Sequence, residues 1–185
     1  MNLEIKIIKE SLGILILASV ISTLGGIGLH SVQERILAIL PLLIIFPALN
    51  GMVGNSGITF VSRYTTLLQQ KKLGKKKLMN KALREHFLLI LKVAVIAAFY
   101  ISTLSMIIAS LKGFKFDPFL YIKILAITTI TTISLVLLIA LISIVAGRYF
   151  AKKKEDPDNL LIPITTSIAD LGAMIIFSLL TFIFF

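Results

Sequence analysis

Five long apolar runs constrain the fold of this chain more than any other feature. They cover residues 11–29, 36–62, 86–111, 118–147 and 160–185, and short polar segments separate them. About 20 apolar residues in a helix cross the roughly 30 Å hydrocarbon core of a bilayer, and helices satisfy their own backbone groups there. The sequence therefore predicts an all-α, multi-pass protein of the cell membrane, with five transmembrane helices in one domain over residues 1–185.

The charge distribution predicts the orientation of the helices. Five spans place the two chain ends on opposite sides. Fourteen of the 19 lysines and arginines fall in the N-terminal segment and in the loops after the second and fourth runs, and four fall on the other side. By the positive-inside rule, the N-terminus is inside and the C-terminus outside. The net charge of +10 then reflects loops that face anionic membrane lipid, so we expect no nucleic-acid partner.

The second run ends in an unusually polar stretch, residues 46–63. Polar groups persist at membrane depth where they face other protein or a water-filled path. On a helix, Gly51, Asn55, Thr59 and Ser62 share one face. Small residues on such a face favour either close helix packing or the approach of a hydrated ion. Composition alone leaves both interpretations open.

Asp170 is the single ionisable residue of the fifth run. It lies about 15 Å along the helix from Leu160, near the middle of the bilayer, where a charge costs about 2.5–3.5 kcal/mol. The lysines inside the runs, Lys92 and Lys123, lie toward run ends. The carboxyl group is therefore either protonated and hydrogen-bonded to a neighbouring helix, or ionised and paired with a cation.

The available ligands suit a hard cation. The chain has no cysteine, so thiolate metal sites are excluded, and oxygen ligands favour Mg²⁺, with Mn²⁺ and Ca²⁺ as alternatives. Mg²⁺ keeps most of its water, so one carboxylate with neutral oxygens can hold it. Asp156 precedes the fifth run and either caps that helix or lines the cytoplasmic mouth of a pore. Two chains on a two-fold axis would supply two carboxylates for one divalent ion, so we expect a homodimer with a central pore from spans 2 and 5.

Two segments resemble a known family. Residues 47–63 are Pro-Ala-Leu-Asn-Gly-Met-Val-Gly-Asn-Ser-Gly-Ile-Thr-Phe-Val-Ser-Arg, and residues 163–170 are Pro-Ile-Thr-Thr-Ser-Ile-Ala-Asp, preceded by Asp-Pro-Asp-Asn at 156–159. They resemble the second and fifth helices of the MgtE and solute-carrier family 41 cation transporters, whose signature is Pro-x-x-x-Gly-x-x-Gly-Asn. The resemblance implies Mg²⁺ transport through a dimeric or pseudo-dimeric pore. The candidate metal-binding residues are Asp170, Thr166, Asn55, Gly54, Thr59 and Asp156.

The chain also differs from these transporters. It shows neither the N-terminal sensor with CBS modules of MgtE proteins nor the doubled unit of solute-carrier family 41, which favours assembly from two chains and leaves room for a separate cytoplasmic regulatory protein. Two alternatives remain open: a non-conducting membrane subunit of a larger complex, and a proton- or sodium-coupled carrier or exchanger that uses Asp170. No second catalytic group converges on Asp170, so we expect no enzyme.

Overall fold

The computed structural model describes the backbone of residues 3–70, 80–152 and 157–185, and the side chains of residues 12–70, 80–150 and 160–185. The described residues form the helices α1 (Leu3–His30), α2 (Gln33–Ala38), α3 (Leu40–Gln69), α4 (Lys81–Leu111), α5 (Pro118–Lys152) and α6 (Pro157–Phe184). Over these ranges, 5 helices are long and apolar enough to cross a membrane, and only the short α2 is not. The predicted all-α membrane class with five spans is confirmed.

The second span begins later than residue 36, where the sequence pattern placed it. The helix breaks at Ile39, whose φ of −112° and ψ of 88° lie outside the helical region, and α3 starts at Leu40 with Pro41 in its first turn. Proline is tolerated there because the first turn needs no amide donor. The residues before the break form the short helix α2, and α3 continues to Gln69.

Helices α3, α5 and α6 pack against one another, α4 packs against α3 and α5, and α1 packs chiefly on α6. Two apolar clusters fill the spaces between the helices. One includes Leu42, Leu49, Ile127, Leu135 and Phe177, and the other includes Phe60, Tyr64, Leu83, Ala94 and Ile144. Many large apolar side chains on the outer helix faces are exposed, as suits contact with lipid.

A glycine lets α1 approach α6 closely. Gly25 is buried, and a Cβ atom on it would lie 2.6 Å from the Met174 Sδ atom and 3.2 Å from the Leu171 Cα atom. A side chain at this position would therefore push the two helices apart. The close approach brings the middle of α1 beside the segment of α6 that carries Asp170.

Two basic side chains bind the last turn of α6. Arg35 Nη1 donates to the Phe182 carbonyl over 2.7 Å, and Lys123 Nζ donates to the Phe184 carbonyl over 2.8 Å. Cations at a helix C-terminus satisfy its free carbonyls and interact favourably with its dipole. These contacts anchor the end of the helix that carries Asp170.

Candidate cation site

Three helices meet at the carboxyl group of Asp170. Ser22 Oγ on α1 donates a hydrogen bond to Asp170 Oδ2 over 3.0 Å, and Asn50 Nδ2 on α3 donates one to Asp170 Oδ1 over 2.9 Å. The two oxygens therefore have separate partners, and neither partner carries a charge. These hydrogen bonds hold the carboxyl group in place and bring no opposite charge to it.

The three residues lie at a similar depth. The two hydrogen bonds place Ser22, Asn50 and Asp170 at one level across α1, α3 and α6, and Asp170 follows Leu160, the start of the fifth apolar run, by ten positions. Ten residues of helix correspond to about 15 Å, which is half of a hydrocarbon core roughly 30 Å thick. This spacing predicts a site near the middle of the membrane.

Packing on both sides of Asp170 fixes this geometry. On one side, Ser22 precedes the close contact at Gly25 by one turn of α1. On the other side, the Phe46 ring of α3 packs against the Phe177 ring of α6 with centroids 5.2 Å apart. Phe46 precedes Asn50 by one turn of α3. The Leu49 side chain is fully buried beside Asn50. The apolar contacts thus set the register in which the polar groups meet.

The amide oxygen of Asn50 is buried and has no hydrogen-bond partner among the described residues. A buried polar atom without a partner costs about 1–3 kcal/mol, so native structures rarely leave one without a reason. This atom belongs to the same amide group that holds Asp170. The Asp170 carboxyl group therefore lies beside a buried acceptor that has no partner in the described part of the chain.

Thr166 precedes Asp170 by one turn of α6 and is half-buried. Its hydroxyl contacts the carbonyl oxygens of Ile162 and Pro163, each at 3.0 Å. The hydroxyl proton is thus used within the helix, while its oxygen retains lone pairs that can accept. Asp156, the proposed residue of the cytoplasmic mouth, lies outside the described residues.

The other predicted residues lie along an exposed face of α3. Asn55 and Thr59 are exposed and Gly54 is half-buried, and Thr59 Oγ1 donates to the Asn55 carbonyl over 2.8 Å. None of the three hydrogen-bonds to Asp170. The structure therefore separates the predicted residues into two groups, one at the Asp170 site on α6 and one on an exposed face of α3. We call that face the polar stripe and define it as Gly51, Asn55, Thr59 and Ser62.

The polar stripe borders a cleft between α3 and α4 of about 420 Å³. Asn55, Ser56, Thr59 and His86 contribute its polar groups, and Leu89 and Val93 are among its apolar walls. His86 Nε2 is buried and has no hydrogen-bond partner within the described part of the chain.

Sequence reasoning missed Ser22 and Asn50 as partners of Asp170. Asn50 lies inside residues 46–63, and the polar composition of that stretch was a signal. The residue itself lies off the helix face that Gly51 and Asn55 share. Ser22 gave no signal, because a serine in an apolar helix normally bonds its own backbone, as Ser19 does to the Leu15 carbonyl.

The fold and this site define a class: a multi-pass membrane protein whose helices hold a carboxyl group at mid-membrane depth between uncharged donors. A family model for MgtE, described as a divalent cation transporter, matches residues 46–180. The chain therefore belongs to the MgtE family of divalent cation transporters, as the two segments suggested. A search of curated proteins and a search of solved structures found no match. The matched region contains Asn50 and Asp170, whereas Ser22 precedes it.

Proposed function

We propose that this protein moves hydrated Mg²⁺ across the membrane through a pore between two copies of the chain, with Asp170 as the cation site. The observation that carries this proposal is the position of the Asp170 carboxyl group, at mid-membrane depth between two uncharged donors. A carboxylate has about four acceptor positions, and the donors use two of them. Its charge and its remaining acceptor positions are available to an ion and its water.

The ligand set supports a hydrated ion. Among the described residues, no group of three or more His, Cys, Asp or Glu side chains could hold a metal ion. A stripped transition metal would need such a group, whereas Mg²⁺ keeps several waters and binds through one or two carboxylates. Asp170, with Thr166 beside it, meets that lower requirement, and Mn²⁺ and Ca²⁺ are the competing ions.

The polar stripe of α3 supports a second copy of the chain. Its four residues are exposed at membrane depth, where contact of polar groups with lipid is unfavourable. Nothing in the protomer lies within 4 Å of a Cβ atom built on Gly51 or Gly54. A two-fold axis beside this face would place two polar stripes and two Asp170 carboxylates around one path. The two negative charges would then balance the charge of one divalent ion.

The cytoplasmic side of the proposed pore is assigned from the sequence alone. With the N-terminus inside, Asp156 precedes α6 at the inner mouth, where its charge would attract cations. The lysine-rich segment between α3 and α4 would face anionic lipid of the inner leaflet, and a separate cytoplasmic regulatory protein could bind there.

Flux measurements in proteoliposomes that contain a Mg²⁺-sensitive dye test the proposal. We expect Asp170→Asn to lower the initial rate at least tenfold. Asp117→Asn is the matched control, because this exposed carboxylate only caps the start of α5, where Asp117 Oδ1 accepts from the Phe119 amide at 2.9 Å. Equal flux in wild type and Asp170→Asn would refute the proposed site. Flux that requires an imposed Na⁺ or proton gradient would favour a coupled carrier over a channel.

A further inference from the structure

We propose that a groove beside the α4–α5 loop binds an anionic phospholipid, with one acyl chain in the groove and the phosphate on Lys112 and Lys115. We call it the hairpin groove. Its lining residues include Thr103, Met106, Ile107, Leu111, Phe116 and Tyr121. It shares no residue with the Asp170 site or the polar stripe, so this inference goes beyond the proposed function and does not rest on it.

The hairpin groove is an open, mainly apolar cavity. Its volume is about 550 Å³, within the range of about 300–1,000 Å³ that is typical of ligand sites. At its edge, Leu111 is 81% exposed and Phe116 is 60% exposed. Contact of such large apolar side chains with water is unfavourable, so this part of the protomer lies against the bilayer. Acyl chains of the surrounding lipid are therefore available to fill the groove.

Two hydroxyl groups of the hairpin groove are already paired. Thr103 Oγ1 donates to the Phe99 carbonyl over 2.9 Å and lies 2.8 Å from the Tyr121 hydroxyl oxygen. Because the Thr103 proton is used within α4, the Tyr121 hydroxyl is the donor between the two side chains. An acyl chain can therefore cover both groups without leaving a donor unsatisfied. The same hydrogen bond joins α4 to α5, so the groove is preformed.

The loop between α4 and α5 has a defined shape at both ends. Gly113 has a φ of 88°, the left-handed conformation that commonly ends helices, and the Phe114 amide donates to the Ala109 carbonyl over 3.0 Å. At the other end, Asp117 Oδ1 accepts from the Phe119 amide at 2.9 Å and caps α5. The acidic group of the loop is thus used within the protomer.

The two lysines of this loop supply the charge for a phosphate. Lys112 and Lys115 are exposed, and neither forms an ion pair in the part of the chain that the structure describes. The other basic residues assigned to this side, Arg35 and Lys123, instead bind carbonyl oxygens of α6. Each loop lysine is the chain neighbour of a groove residue. Cations beside an apolar groove at the membrane boundary match an anionic phospholipid, which joins acyl chains to a phosphate.

Thermal unfolding of the purified protein in detergent with added lipid tests the proposal. We expect dioleoyl phosphatidylglycerol to raise the unfolding temperature by several degrees. Dioleoyl phosphatidylcholine has the same acyl chains but no net charge, and it should raise the temperature less than half as much. Inorganic phosphate has no acyl chain and should cause no shift. Equal shifts with the two lipids, or a shift with phosphate alone, would contradict the proposal.

Variants with matched controls locate the lipid. The double variant Lys112→Gln with Lys115→Gln should lower the affinity for phosphatidylglycerol about tenfold, measured by native mass spectrometry of the lipid-bound protein. Lys81→Gln with Lys92→Gln removes two exposed lysines from the opposite half of α4 and should leave the affinity near wild type. Equal losses in the two double variants would show general charge attraction and no site at the loop.

A bulky residue in the hairpin groove tests the acyl-chain half of the proposal. Ile107→Trp fills the groove at an exposed position and should abolish the shift with phosphatidylglycerol. Ile96→Trp, at an exposed position of α4 outside the groove, should keep it. A normal shift in Ile107→Trp, or loss of a dimer in that variant alone, would contradict the proposal, the second because a copy of the chain would then occupy the groove. Asp170→Asn should bind the lipid as wild type does, whatever its flux.

Discussion

Ser22 Oγ donates a hydrogen bond to Asp170 Oδ2 over 3.0 Å, which joins two residues 148 positions apart in the sequence. The family match begins at residue 46, so this contact brings a helix from outside the matched region into the site. The first helix is therefore part of the arrangement that positions Asp170. Changes along α1 should affect transport even though α1 contributes little to the apolar core.

The first prediction compares two serines on α1. Ser22→Ala removes a donor to the carboxylate, and hydrogen bonds to charged groups contribute about 1.5–3 kcal/mol. We expect the half-saturating Mg²⁺ concentration to rise about tenfold. Ser19→Ala is the matched control, because Ser19 is exposed and its hydroxyl donates to the Leu15 carbonyl of its own helix. Equal Mg²⁺ dependence in the two variants would show that Ser22 does not support the site.

The second prediction concerns the close approach of α1 to α6. A side chain at Gly25 must displace Met174 and meets the Leu171 backbone, whereas a Cβ atom on Gly26 meets nothing within 4 Å. Overpacking of this kind costs about 1–3 kcal/mol. We expect Gly25→Val to lower the thermal unfolding temperature by several degrees and to reduce flux, because Ser22 moves away from Asp170. Gly26→Val should leave both measurements near wild type, and a similar loss in both variants would contradict the close-packing explanation.

The sequence predicted the features of this protein that depend on composition and local spacing. Long apolar runs predict membrane helices because the thickness of the bilayer sets the length of such runs. A lone aspartate such as Asp170 stands out in one of them because a charge is costly inside the bilayer. The spacing of Gly51, Asn55 and Thr59 predicted one helix face, and all three residues are exposed on α3.

Other features could not be predicted because they depend on packing between distant segments. Nothing near Ser22 distinguishes it from Ser19, and only the contact between α1 and α6 gives it a carboxylate partner. The break at Ile39 lies inside a continuous apolar run, where hydropathy has no contrast. Pro41 was the local signal, but a proline also occurs within α3 at Pro47 without ending the helix.

The third prediction tests the two-chain pore. The chain has no cysteine, so single cysteines can be introduced without background. We expect Gly51→Cys and Ser62→Cys, both on the polar stripe, to give covalent dimers in membranes treated with an oxidant or a short bifunctional thiol reagent. Leu17→Cys and Ile96→Cys are the controls, because these side chains are also exposed but lie on the apolar faces of α1 and α4. Dimers from the controls alone, or from no position, would contradict an interface at the stripe.

The fourth prediction concerns a rigid contact among α3, α5 and α6, away from the site. A Cβ atom on Gly147 would lie 2.5 Å from the Tyr64 Cε1 atom and 3.0 Å from the Leu161 Cδ1 atom. Tyr64 cannot turn aside, because its ring is fully buried and its hydroxyl donates to the Ile144 carbonyl over 3.0 Å. We expect Gly147→Ala to destabilise the protein by about 1–3 kcal/mol, measured by thermal unfolding in detergent.

A double-mutant cycle identifies the cause of that loss. Tyr64→Leu removes the ring edge that the new methyl group would strike. The double variant should therefore lose less stability than the two single changes added together, as expected for residues in contact. Gly13→Ala on α1 is the control, since nothing lies within 4 Å of its Cβ position, and it should remain near wild type. Strictly additive losses at Tyr64 and Gly147 would mean that the ring is not what excludes a side chain at Gly147.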